Sequence, residues 1–498
     1  MNDIKRIQPL TRVTSLAFAA IVILAVVSPV VSGGTMPRFW PLVIGVLSAA
    51  MLYLVRSSQR GSSGLMRIGF YIGLFAFFVA FPLLSPDEIN PDIADDVHWT
   101  LGWALFLSVM GFEVAYWLVG VIRKSVERAP IRLQPSWKQR RLLLLILGLG
   151  LTAWFFSVWD YSRTINAPIV SVLLSMRGAV EGASDEATKP GYLSLFLGSG
   201  IFLSAVASAL LLTLYRLTWR STVLSWAMLI ICAGVGFLSG SRALFLYSFV
   251  PVAITGWKKL SNLRFLTSLR WPGLIAAGAL IIVVWSAMTV MRGADIRTYE
   301  GSIEELASVT PAQSALDIYS MTAVVVETFP DRIPFVNGES LVPLVLGWVP
   351  RTLWPSKPYP FGLYMNIING ETLQVRSASL AVGLIGEGYG NFGLLGAFLW
   401  AFLVGLACRQ GDKLIARFHP DDPLHLLLGG MAMVWIAMIV RGGVPEMFYM
   451  GAQILVFPVI LARFLFFQQK SAKRNAAPFS GARGWLSNRP AAWGGSQT

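Results

Sequence analysis

With 498 residues, 55% of them hydrophobic and only 13% charged, and a mean hydropathy of +0.63, the chain reads as an integral membrane protein rather than a string of soluble domains. Apolar runs long enough to cross the roughly 30 Å hydrocarbon core recur throughout, and lipid cannot satisfy open backbone groups. The net charge of +14 does not point to nucleic acid, because the basic residues stand beside span ends, where membrane topology concentrates them.

The expected fold class is all-α: a polytopic transmembrane helical bundle of about 12 spans with a large extracytoplasmic loop containing short helices. The spans fall at 13–32, 39–55, 68–84, 99–122, 141–159, 191–214, 221–239, 242–257, 272–291, 391–409, 424–440 and 444–467. The first follows a basic start (Lys5, Arg6, Arg12) and ends Ser-Gly-Gly-Thr-Met-Pro, which fits an uncleaved span better than a removed signal peptide. Arg56, Arg60 and Arg67 follow the second span. Arg123, Lys124, Arg128, Arg132, Lys138, Arg140 and Arg141 follow the fourth, Lys258, Lys259, Arg264 and Arg270 the eighth, and Lys470, Lys473, Arg474, Arg483 and Arg489 mark the tail. All fall on one side, and Asp87, Glu88, Asp92, Asp95 and Asp96 on the other, so both termini are expected in the cytoplasm.

Five regions result: a four-span region with its basic loop (1–140), central spans (141–291), a large periplasmic loop (292–376), a three-span region (377–467) and a disordered cytoplasmic tail (468–498). Within the central region, Ile165 to Leu174 is too short to span and reads as an interfacial or re-entrant helix. The large loop carries nine acidic and six basic residues. Its apolar pieces, Ala315 to Phe329 and Ser340 to Val349, read as helices lying against the mouth of the bundle. So much charged chain beside apolar spans points to binding or chemistry.

Three constellations border that face. In Leu238-Ser239-Gly240-Ser241-Arg242 a compact turn sets Arg242 at a helix start, where backbone N–H groups favour anions; a snorkelling interfacial arginine is the alternative. In Pro350-Arg351-Thr352-Leu353-Trp354-Pro355-Ser356-Lys357-Pro358 the prolines hold Arg351 and Lys357 on an irregular path suited to phosphate, or merely to lipid head groups. In the glycine-rich stretch 383–396, helix packing accounts for the glycines but not for Glu387. That carboxylate is either a proton acceptor for a sugar hydroxyl or half of a structural ion pair.

Arg292, Arg376 and Arg441 stand near the same face as substrate-binding candidates or interface anchors. Trp348, Trp354 and Tyr359 could stack on sugar rings. Glu113, inside a span, is either internally paired or a proton relay. Cys232 and Cys408 lie in or at the ends of spans, far apart, and the three histidines are scattered, so no disulfide, metal site or cofactor is expected. No Walker A loop, no Rossmann fingerprint in a strand–helix context and no H-E-x-x-H occurs.

Ser239-Gly240-Ser241-Arg242, Pro-Arg-x-Leu-Trp-Pro-x-Lys-Pro at 350–358 and Gly-Glu-x-Tyr-x-Asn-Phe-Gly-x-x-Gly at 386–396 carry a resemblance. Over residues 140–465 the chain resembles the polytopic O-antigen/oligosaccharide repeat-unit polymerases (Wzy-type, GT-C-like) and their relatives, the O-antigen ligases. The resemblance implies an inverting, nucleotide-independent glycosyltransferase of the bacterial inner membrane. Such an enzyme joins undecaprenyl-diphosphate-linked oligosaccharide repeat units into a surface polysaccharide or exopolysaccharide. It further implies membrane lipid, a flippase and a chain-length regulator as partners. The arginines and Lys357 would stabilise the leaving diphosphate, and Glu387 would activate the acceptor hydroxyl. The ligases use an outer-loop histidine; His98, His419 and His425 lie outside the large loop, which favours polymerase over ligase. A secondary transporter is the reading from another class, resting on Glu113.

Overall fold

Apolar runs in lipid leave the backbone one local solution, and all the regular elements among the described residues are helical. The computed structural model describes residues 64–80, 93–122, 135–164, 200–238, 242–261, 316–346, 353–368, 381–420 and 422–445, with scattered positions besides, several of them between 447 and 461. The spans expected at 13–32, 39–55 and 272–291, the piece at 165–174 and the tail 468–498 lie outside them. In chain order the helices are α1 (Leu65–Phe75, continued by a π-helical turn, Ala76–Ala80), α2 (Asp95–Ile122), α3 (Trp137–Thr164) and α4 (Gly200–Leu214). There follow α5 (Trp219–Leu238), α6 (Arg242–Ser261), α7 (Leu316–Thr328), a 3-10 turn (Glu339–Leu341), α8 (Val342–Leu346), α9 (Phe361–Ile368), α10 (Gly383–Ile415) and α11 (Pro423–Gly442). Five of them, α2, α3, α5, α10 and α11, are long and apolar enough to cross a membrane.

Burial sorts these helices. Large apolar side chains stand open on α3 and α5 (Leu149 60%, Ile230 65%), as expected of surfaces facing hydrocarbon. The interior is built instead from α1, α2, α4, α10 and α11 with α7 packed against them, and between several of these small residues let backbones touch. On α2 and α10, Ser108 donates to the Ala397 carbonyl (3.1 Å), and a Cβ on Gly111 or Gly405 would run into the carbonyl of Phe398 or Phe112. These pairs advance together along both chains, so α2 and α10 run parallel. Likewise α1 runs parallel to α11, Gly69 facing Met433 and Gly73 facing Ala437.

A buried polar node ties one end of the interior together. The Asp412 carboxylate of α10 accepts the Met66 backbone N–H and the Tyr116 hydroxyl, both at 2.9 Å. It thereby caps the first turn of α1, whose own N-cap residue, Gly64, has no side chain to do so. One turn inward, Arg67 pairs with Glu113 through Nε (2.9 Å) and Nη2, and the Tyr71 hydroxyl donates to the same carboxylate at 2.7 Å. Glu113 is thus internally paired, the first of its two sequence readings.

The opposite end holds a break. Phe392 (φ −146°, ψ 25°) and Gly393 (φ 63°, ψ −146°) leave helical geometry inside α10. Gly388 and Gly396, about 12 Å apart along a straight helix, are in contact: a Cβ on either would overlap the other's carbonyl. The chain therefore folds back on itself, a half-helix at 383–391 doubling onto a helix at 394–415. Only the latter, about 33 Å long at 1.5 Å per residue, is long enough to span.

Candidate functional site

The half-helix 383–391 is where the glycine-rich motif sits, and each glycine answers to a different neighbour. Gly386 packs on Thr322 of α7, Gly388 on Gly396, and Gly390 under the ring of Phe361 at the start of α9. Between them, Glu387 is 1% exposed. Its Oε2 accepts the Val444 backbone N–H at 2.7 Å, and the Ser340 hydroxyl donates to Oε1 at 3.4 Å. Gly443 makes the first contact possible: its φ of 86° is open to glycine, and a Cβ there would stand 2.7 Å from the carboxylate.

Asn391 closes the same network. Its amide nitrogen donates to Ser340 Oγ (2.8 Å) and to the Glu387 carbonyl (2.7 Å), and its Oδ1 accepts the Gly338 N–H (2.9 Å). Breaking α10 frees carbonyls that a continuous helix would have used, and the loop takes them up. Val336 N–H reaches the Gly390 carbonyl (3.0 Å) and Asn337 N–H the Asn391 carbonyl (3.1 Å). An irregular segment of the large loop is in this way bonded to the interior of an apolar bundle.

Beside this joint lies a cleft of about 220 Å³ whose lining includes Val336, Glu339, Ser356, Lys357, Tyr359 and Tyr364. One wall is the proline-rich strap. Within it the Lys357 ammonium donates to the Val349 carbonyl (3.0 Å), the Lys357 N–H bonds the Trp354 carbonyl (3.1 Å), and the Trp354 indole donates to Ser356 Oγ (3.1 Å). The other wall is the 3-10 turn. Glu339 is exposed into the cleft, while Ser340, the next residue, is buried against Glu387.

Of the residues singled out from sequence, the fold gathers Glu387, Lys357 and Trp354 around this joint. Arg441 stands in the last turn of α11, two residues before the Gly443 that meets Glu387. Arg242 begins α6, as the turn before it suggested, and its side chain is outside the described residues. Arg292, Arg351 and Arg376 also lie outside them. Sequence reasoning missed Glu339, Ser340 and the role of Asn391. The Asn337-Gly338 pair, with φ of 53° and 87°, was the available signal for a tight turn there. It also missed that His98, though outside the large loop, is buried against the loop's own helix, its Nδ1 2.7 Å from the Tyr319 hydroxyl.

Cys232 and Cys408 are free and buried, and among the described residues no cluster of His, Cys, Asp and Glu could hold a metal ion. Comparison of the chain with known protein families, with curated proteins and with solved structures finds no match.

Proposed function

We propose that the protein is a membrane glycosyltransferase that polymerises undecaprenyl-diphosphate-linked oligosaccharide repeat units at the outer face of the bacterial inner membrane. The observation that supports this reading is the docking of residues 336–340 and of Phe361, just past the strap, on a broken, glycine-rich half-helix, with the strap facing the 3-10 turn across the cleft. A charged, partly aromatic cleft is thereby fixed at the rim of an apolar bundle, the setting a substrate with a lipid tail and a sugar head requires.

In the proposed reaction a hydroxyl of one repeat unit attacks the anomeric carbon of another. The bond from that carbon to the diphosphate breaks, and the lipid diphosphate leaves with its electron pair. Arg242, Arg351, Arg376, Arg292 and Arg441 are assigned to the diphosphate, since a guanidinium matches phosphate oxygens in pairs and stabilises charge as it develops. Lys357 and Trp354 are assigned to the sugars. Glu387, enclosed by Val444 and Ser340, is assigned to positioning: it holds the turn against the half-helix.

Purified protein in proteoliposomes, given lipid-linked repeat units and neither nucleotide sugar nor added metal, is expected to lengthen the glycan. Failure of folded, monodisperse protein to do so overturns the reading.

One observation favours a second reading, a transporter of lipid-linked sugar, because broken helices commonly line transport sites. Among the described residues α10 alone is interrupted in this way, and Glu113 is held by Arg67 and Tyr71. Lipid-linked substrate crossing vesicles without any lengthened product would select this alternative.

A further inference from the structure

We propose that the cleft between the strap and the 3-10 turn is the subsite for the acceptor's terminal sugar ring, with Glu339 taking the proton from the attacking hydroxyl. The assignment rests on the glycosyltransferase reading above and adds a residue and a substrate class to it.

Size comes first. At about 220 Å³ the cleft is smaller than the roughly 300–1,000 Å³ of sites that enclose drug-sized ligands, so it suits one ring rather than a whole lipid-linked repeat unit. Its chemistry is that of a sugar. Tyr359 and Tyr364 offer aromatic faces to C–H groups, while Ser356, Lys357 and Glu339 offer donors and an acceptor to hydroxyls. Among the described residues the lining sets one lysine against one glutamate, which suits hydroxyls better than a diphosphate.

Glu339 is also held as a reacting group should be. The residue before it, Gly338, donates its N–H to Asn391, and the residue after it, Ser340, is locked between Asn391 and Glu387. Glu339 itself is exposed, and among the described residues its carboxylate has neither a hydrogen bond nor an ion pair. The buried acid thus secures the turn from below and the exposed acid faces the cleft, so the two carboxylates have separate tasks. In the step proposed, the acceptor O–H bond breaks and its proton moves to Glu339. The oxygen bonds the donor's anomeric carbon, and the electrons of the broken glycosyl–phosphate bond leave on the lipid diphosphate.

The test uses the full chain in detergent or proteoliposomes, with two readouts. For binding, the probe is the water-soluble repeat-unit oligosaccharide released by mild acid from the producing cell's own surface polysaccharide, followed by saturation-transfer NMR. Wild-type protein is expected to give transfer, and Tyr364→Ala to lose most of it. For catalysis, Glu339→Gln is expected to lower kcat for elongation about 100-fold or more while acceptor KM moves by less than about threefold, with Glu339→Asp recovering part of the rate.

Elongation by Glu339→Gln at the wild-type rate overturns the base assignment and leaves the polymerase reading standing. Transfer that persists undiminished in Tyr364→Ala overturns the subsite. Wild-type protein that binds the oligosaccharide through the cleft yet elongates nothing sinks the polymerase reading and the base together, while supporting the subsite.

Discussion

Three side-chain hydrogen bonds converge on Asn391, and its loss is expected to be severe for a single polar side chain. Asn391→Ala leaves the half-buried Gly338 N–H and the buried Ser340 hydroxyl short of partners, and a buried group so left costs about 1–3 kcal/mol. Glu387→Gln keeps an acceptor for the Val444 N–H and loses only the charge-assisted part of that bond, so it should unfold closer to wild type than Glu387→Ala. Thermal unfolding in detergent, followed by size-exclusion chromatography, ranks the three. At the other end, Arg67→Met strands the Glu113 carboxylate beside Tyr71, whereas Glu113→Gln retains an acceptor for the tyrosine. Each variant also leaves the other partner's charge uncompensated, so both are expected to melt below wild type; a variant that melts like wild type in the same experiment contradicts the pairing.

Among the elements, α10 departs furthest from a simple span. Gly393, at φ 63° and ψ −146°, lies by a region open essentially to glycine alone, so Gly393→Ala should lower stability by about 1–3 kcal/mol. Gly396→Leu is expected to be worse, since any Cβ there overlaps the Gly388 carbonyl and must push the half-helix away. Both effects would be read as lowered melting temperature, the second also as faster proteolysis of the displaced 333–341 loop. The existence of most described helices was legible in the sequence, because long apolar runs have one backbone solution in lipid. The apolar piece 315–329 appears as α7 and the strap as irregular chain. The break at 392–393 was not legible: Gly-x-x-Gly spacing reads equally well as a straight, closely packed helix. Nor was the partner of Glu387, which comes from Val444 and Ser340, 57 and 47 residues away in the chain. The short α9, whose Phe361 covers Gly390, gave no sign of itself either.

At the level of the whole molecule, the two buried polar nodes sit at opposite ends of α10, Asp412 near its close and Glu387 near its start. The orientation proposed from loop charge puts the Glu387 end outside the cytoplasm. In a background of Cys232→Ala and Cys408→Ala, a cysteine at the exposed Ser356 should then react with a membrane-impermeant maleimide in spheroplasts. One at the exposed Arg417 should react only after permeabilisation, and the opposite pattern would invert the topology. The loop that meets the α10 break carries one more consequence. Amide protons in an irregular segment ordinarily trade with solvent quickly. Those of Val336, Asn337 and Gly338 point instead at carbonyl and amide oxygens of residues 390 and 391, so deuterium should enter them as slowly as it enters the middle of a helix. A coil with helix-like protection would thus report, amide by amide, whether the loop is seated or released while a glycan passes beside it.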